Sequence, residues 1–233
     1  MLRLTGLCSG YGSVPICREL NLHIKKGEIA VILGRNGVGK TTLMKTIIGV
    51  LPCHTGTIHF KGTDVTRMSA SNRARFGMGY IPQGRGIFPR LTVEENLQMG
   101  HLINSDSGRE RLYERVYEMF PRLDERRRQK GGTLSGGEQQ MLAMGRALVG
   151  NPDMLILDEP SEGVQPSIVQ DFVPLLQGLN KELGLTMLVV EQNLDFAMSL
   201  AERCYIMDRG TIVTELDKSE MGDSERVRHY LAI

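Results

Sequence analysis

Residues 28–49 read EIAVILGRNGVGKTTLMKTIIG, and the three parts of this stretch decide the fold. In residues 28–33 apolar side chains follow one another instead of alternating, the pattern of a strand buried on both faces of a parallel sheet. Residues 41–49 have the composition and length of a helix. Between them GRNGVGKT, residues 34–41, fits G-x-x-x-x-G-K-[ST] at every position. Gly34, Gly37 and Gly39 let the backbone curl so that successive N–H groups of the loop, with Arg35, Asn36 and Val38, face a phosphate. The helix N-terminus, where Thr42 follows, adds partial positive charge. Lys40 can then reach β- and γ-phosphates, and the Thr41 hydroxyl can ligate Mg²⁺. The bland alternative is a glycine-rich turn with a surface lysine, and it leaves the complete motif unexplained.

Three further buried-type runs, residues 154–158, 186–191 and 204–207, alternate with segments of helical length such as residues 167–183. That alternation is α/β. Near the N-terminus LRLTGL, LNLHI and TIHF read as shorter strands of a small antiparallel sheet. MDRGTIVTEL reads as a hairpin turning at Asp208, Arg209 and Gly210. From about residue 92 to 129 the strand signal stops and charge density rises. Leu112, Val116, Met119, Phe120 and Leu123 fall at i, i+4, i+7, i+8 and i+11, one face of a helix interrupted near Pro121. Arg109, Glu110, Glu114, Arg115 and Glu118 make the solvated face. DERRRQK, residues 124–130, reads as a solvated helix end in preference to a phosphate patch. The expected architecture is one domain. Residues 1–91 and 150–233 form a nucleotide-binding core with a parallel sheet and an N-terminal antiparallel β subdomain, and residues 92–149 an inserted helical subdomain.

Lys and Arg total 28 against 27 Asp and Glu, a formal net charge of +1. That balance argues against a domain built around a nucleic-acid backbone. The four cysteines show no CxxC or zinc-like spacing and read as reduced, mostly buried thiols of a cytosolic protein. The start lacks the charged and apolar regions of a signal peptide. The apolar runs reach strand length, well below the ~20 residues of a membrane-spanning helix.

MLILDEP, residues 154–160, ends a buried-type strand in two acids. Asp158 is placed to hold Mg²⁺, and Glu159 to orient and polarise an attacking water. LSGGEQQ, residues 134–140, is a good helix start, with Ser135 as N-cap and Glu138 completing a capping box. Its adjacent glycines, Gly136 and Gly137, leave N–H groups bare at a second helix N-terminus.

In this order, with Tyr11 before the phosphate loop and Gln83 in YIPQGR, the motifs resemble ATP-binding-cassette (ABC) ATPases over essentially the whole chain. The resemblance implies ATP with Mg²⁺ as cofactor. It gives Tyr11 the adenine-stacking position and has Gln83 ligate Mg²⁺ beside Thr41 and Asp158. It implies head-to-tail pairing with a second ATPase or a second copy, in which Ser135, Gly136, Gly137 and Gln139 of one cassette close on ATP held by the other. Partners implied are two transmembrane permeases and an external solute-binding protein, with no nucleic acid, at the cytoplasmic face of the membrane. Two positions depart from many relatives: Gln192 in VVEQN replaces a switch histidine, and Gln165 replaces an aspartate. Gln192 can donate a hydrogen bond to a γ-phosphate but cannot carry charge, so a working but slower hydrolytic site, or one of two unequal sites in a heterodimer, is expected. VEQN is similar to importers of branched-chain amino acids and related amides. Within that group IPQGRGIFPRLTVEENL and EPSEGVQPSI resemble the second ATPase of urea and short-chain amide uptake. The alternatives are a branched-chain amino acid importer, an ATP clamp beside an active partner, and a non-transport cassette.

Overall fold

The computed structural model describes residues 1–103, 109–164 and 166–222. Strands β1 (Leu2–Tyr11), β2 (Val14–Ile24), β4 (Cys53–Phe60) and β5 (Thr63–Asp64) form an antiparallel sheet in the order β2-β1-β4-β5. The second sheet holds β3 (Ile29–Leu33), β6 (Met78–Ile81), β7 (Met154–Asp158), β8 (Thr186–Glu191), β9 (Arg203–Asp208) and β10 (Thr211–Asp217), in the order β10-β9-β3-β8-β7-β6. All its pairings are parallel except the β9–β10 hairpin. This is the expected α/β arrangement. One parallel strand, β6, has no apolar run to announce it: it is four residues long and includes Gly79.

The continuous apolar runs have a simple cause. In β3 every residue is buried, and alternate side chains enter two different cores. Val31 and Leu33 pack with Leu142, Phe172 and Phe196 on the helical side. Ala30 and Ile32 pack with Leu4, Leu22, Ile58 and with Leu43 and Ile47 of α1 (Lys40–Ile47) on the side of the antiparallel sheet. The Tyr205 hydroxyl donates to the His23 carbonyl at 2.8 Å and joins the two sheets.

After β4 and β5 comes α2 (Ala70–Arg75). Between β6 and β7 lie α3 (Val93–His101), α4 (Arg109–Met119), α5 (Pro121–Glu125) and α6 (Gly136–Val149). The chain then runs through α7 (Pro166–Leu183) and α8 (Leu194–Leu200). Val116, Phe120 and Leu123 are buried against Leu97 and Leu142, whereas Leu112 and Met119 stay half-buried at the edge of that face. Phe120 breaks the helix with φ −128°, and Pro121 restarts it at a position where its missing N–H has no intrahelical partner to lose. All four cysteines are free thiols, Cys17 and Cys204 buried. Among the described residues no helix is long and apolar enough to cross a membrane.

Candidate nucleotide site

β3 delivers the chain into the loop at the C-terminal edge of the parallel sheet, and α1 leaves it. Gly37 and Gly39 carry the curl, with φ of +82° and +110°. Gly34 has another reason to be glycine: a Cβ there would lie 2.5 Å from the Met207 carbonyl oxygen. The expectation that Gly34 supplies backbone curl is therefore corrected to a close approach against β9. Gly39 precedes Lys40 without any side-chain cap, and the first turn of α1 carries no acid. Its N–H groups are thus left for an anion. Above them lies a cavity of about 340 Å³, lined by Tyr11, Ile16, Asn36, Gly37, Gly39, Lys40, Thr41, Thr42, Gln83 and Glu159.

Lys40 is 3% exposed, and its Nζ donates to the carbonyls of Gly34 at 2.8 Å and Arg35 at 2.9 Å. It also pairs with Glu159 Oε1 at 3.1 Å. Glu159 stands at the end of β7 with φ +50°, a left-handed conformation that a non-glycine residue keeps only when its surroundings enforce it. Its N–H donates to the Val190 carbonyl at 2.9 Å, and its Oε2 is buried without a hydrogen-bond partner among the described residues. Next to it, Asp158 Oδ1 accepts from the Thr41 hydroxyl at 3.2 Å and Oδ2 from the Tyr80 hydroxyl at 3.0 Å. Burial pushes the Asp158 carboxyl above the usual aspartate range, against the two hydroxyls that favour its charge. Burial and the neighbouring Asp158 charge likewise push the Tyr80 phenol up.

Among the described residues no cluster of three His, Cys, Asp or Glu could cage a metal. The Thr41 hydroxyl, which lines the cavity, and the Asp158 carboxylate hydrogen-bonded behind it offer oxygens that fit a hard cation arriving with phosphate and water oxygens, the habit of Mg²⁺.

The other expected residues fall into two groups. Tyr11, half exposed at the end of β1, and Gln83 reach the cavity, and Gln83 Nε2 donates to Glu162 Oε2 at 2.8 Å. Ser135, Gly136, Gly137, Gln139 and Gln192 are not among the residues that line it. Ser135 is exposed and caps α6: its hydroxyl accepts from Glu138 N, and Glu138 Oε2 accepts from Ser135 N at 2.9 Å. Gln139 turns inward, donating to the Leu134 carbonyl and accepting from Arg85 Nη1 at 2.8 Å. Arg126 pairs with Glu138 at 2.9 Å, and the Arg127 guanidinium stacks 4.0 Å from the Tyr117 ring centroid. The basic run is thus partly engaged within the helical region and is not a free patch. Gln165 lies outside the described residues. Sequence reasoning passed over Tyr80, Arg85 and Glu191. For Glu191 a signal exists: TMLVVE is a second apolar strand that ends in an acid, beside MLILD.

A family model described as ABC transporter matches residues 17–162. The chain is 41% identical over 213 residues to the high-affinity branched-chain amino acid transport ATP-binding protein BraG of Pseudomonas aeruginosa, covering 91% of each chain. It is 34% identical over 227 residues to the probable branched-chain amino acid transport ATP-binding protein LivF of Archaeoglobus fulgidus, covering 97% of this chain and 96% of the relative. Its fold matches the dimeric post-hydrolysis structure of an ATP-binding cassette bound to ADP and Pi. There the TM-score is 0.82 at 25% identity, covering 94% of this chain and 99% of that one.

Proposed function

This chain belongs to the ABC transporter family of ATP-hydrolysing subunits, and from that premise we propose that it drives an importer of branched-chain amino acids or similar small solutes. The observation that carries the nucleotide reading is the uncapped α1 N-terminus under a cavity that also holds Lys40, Thr41 and Glu159. The names of the two relatives favour the amino-acid alternative over urea or short-chain amides, a reading supported only by the segments around Gln83 and Glu159.

The geometry suggests how these residues act. Lys40 already points along the loop, held by two carbonyls and Glu159. When a triphosphate enters, its oxygens replace those acceptors and take the lysine charge. Glu159 then loses its cation and becomes free to accept a hydrogen bond from the attacking water. Thr41, Asp158 and Gln83 would hold a Mg²⁺ that arrives with the nucleotide, which would supply positive charge beside the phosphates. Tyr11 stacks on the base, and loop N–H groups within residues 36–42 bind the phosphates, the Gly34 N–H being taken by the Glu191 carbonyl. Ser135, Gly136, Gly137 and Gln139 serve a different nucleotide, one held by a second copy or a second ATPase. Gln192, with an amide in place of imidazole, gives a slower but working site.

A second cavity of about 380 Å³ lies between the sheet edge and the helices, lined by Met78, Tyr80, Phe88, Met99 and Arg146 among others. Phe88 and Met99 are exposed there, and this apolar cleft suits a permease segment. Calorimetry of Mg·ATP with wild type and Lys40→Ala tests the nucleotide site: heat of binding is expected from the first and not the second. Uptake of labelled leucine against labelled urea in a deletion strain tests the solute. Loss of urea uptake alone would restore the other assignment.

A further inference from the structure

We propose that Glu191 is a positioning residue: its buried carboxylate locks the loop after Glu159 and the loop carrying Gln192 into one register against the entry to the phosphate loop. The proposal rests on the site reading given above. Glu191 is the last residue of β8 and 1% exposed. Among the described residues no lysine, arginine or histidine is recorded as an ion-pair partner for it. Its carboxyl oxygens are met instead by three backbone N–H groups. Oε1 accepts from Ser161 N at 2.9 Å, and Oε2 from Gln192 N at 3.1 Å and Asn193 N at 3.3 Å.

Those donors come from two separate loops, and each loop carries a group of the candidate site. Ser161 follows Glu159 by two residues. Gln192 is the residue in the switch position, and Asn193 starts α8 by accepting from Phe196 N at 3.1 Å. The main chain adds two further ties. Gly34 N donates to the Glu191 carbonyl at 3.1 Å, and Glu159 N to the Val190 carbonyl at 2.9 Å. Three loops on this edge of the sheet, those after β3, β7 and β8, therefore lean on residues 190–191. A buried carboxylate needs such compensation, because desolvation without partners is strongly unfavourable. An apolar residue would satisfy the core at that strand end, but it could not bridge the two loops.

Glu191→Gln tests this with little change of shape. The amide keeps one acceptor oxygen but sets an NH₂ against backbone donors, so one loop loses its anchor. Misplacement near 1 Å can lower turnover by about 10²-fold. The expected result is kcat reduced by about 10- to 100-fold with KM for ATP within about twofold, since the nucleotide-binding loop does not use this side chain. Site-resolved hydrogen exchange gives the second readout. The Ser161 and Gln192 amides exchange faster in Glu191→Gln, while Leu155–Leu157 in β7 keep their protection. Wild-type exchange needs no variant to fold: a Ser161 amide that exchanges at the free-peptide rate overturns the proposal. So does a variant with unchanged kcat, or one whose exchange rises equally throughout. Wild type that fails to bind Mg·ATP would instead overturn the site reading itself.

Discussion

The phosphate loop and the start of α6 are both glycine-lined helix N-termini, yet they satisfy their N–H groups in different ways. α1 begins at Gly39 with no side-chain cap and no acid in its first turn. α6 begins at Ser135 with a full capping box, and Glu138 supplies a negative charge of its own. Burial works against that charge, but the hydrogen bonds from Ser135 and the Arg126 guanidinium outweigh it and hold the Glu138 carboxyl below its usual range. The first terminus leaves its N–H groups to an anion, the basis of the proposed phosphate site within one chain. The second is complete as structure and turns Ser135 outward, so under the proposed reading a phosphate there would come from outside the chain and each chain would carry halves of two sites.

Substitutions at the two ends should separate these roles. The largest effect is expected from Glu159→Gln, where turnover falls by about 10²- to 10⁴-fold while Mg·ATP affinity, read by calorimetry, is retained. Lys40→Ala removes binding as well. It also strands the buried Glu159 carboxylate, which lowers stability by about 3 kcal/mol, read by denaturant unfolding. At α6 the comparison sharpens. Ser135→Ala loses a cap worth about 1 kcal/mol and lowers Tm by about 2–4 °C. Ser135→Asp keeps the cap and the Tm but places a negative charge toward any incoming phosphate. Both variants lose turnover and keep single-chain nucleotide affinity; turnover that follows Tm alone would make Ser135 purely structural.

The acid limb supplies a milder test. Because burial raises the Asp158 carboxyl, metal binding must displace a proton at a pH where an ordinary aspartate is already ionised. Mg²⁺-dependent nucleotide affinity should therefore fall, as pH drops, before the usual aspartate range is reached. The stability linkage runs the other way. With the folded-state value above the unfolded one, the Asp158 contribution is fully present below the unfolded pKa and is lost as pH rises through the folded value. Nucleotide-free stability measured across that window checks the sign. The smallest effect is expected at Gln192→His, a few-fold rise in turnover; an unchanged rate removes any mechanistic role for this position.

Much of this was legible in the sequence because the signals were local. The run IAVIL is buried on both faces as its unbroken apolarity predicts, and the Ser135–Glu138 box is present in full. Gly34 shows where local reading stops: its glycine answers a carbonyl on β9, more than 170 residues away in sequence. Tyr80 was hidden for the same reason, since only the β6–β7 pairing brings its hydroxyl to Asp158. Glu191 lies beside a residue that motif reading singles out, but its partners belong to another strand's loop. Contacts between strand ends decide the electrostatics here, and no spacing within one segment encodes them.

On the proposed reading, nucleotide binding is complete in one chain whereas cleavage needs the α6 terminus of a companion. Mixing Glu159→Gln chains with Ser135→Arg chains tests it directly, provided the wild-type chain hydrolyses ATP on its own. Each variant alone is expected to be inactive. In a mixed pair, one site joins the intact phosphate loop and Glu159 of one chain to the intact Ser135 of the other, so hydrolysis should return. If wild type is active and the mixture stays as inactive as either variant, the two-chain site does not exist.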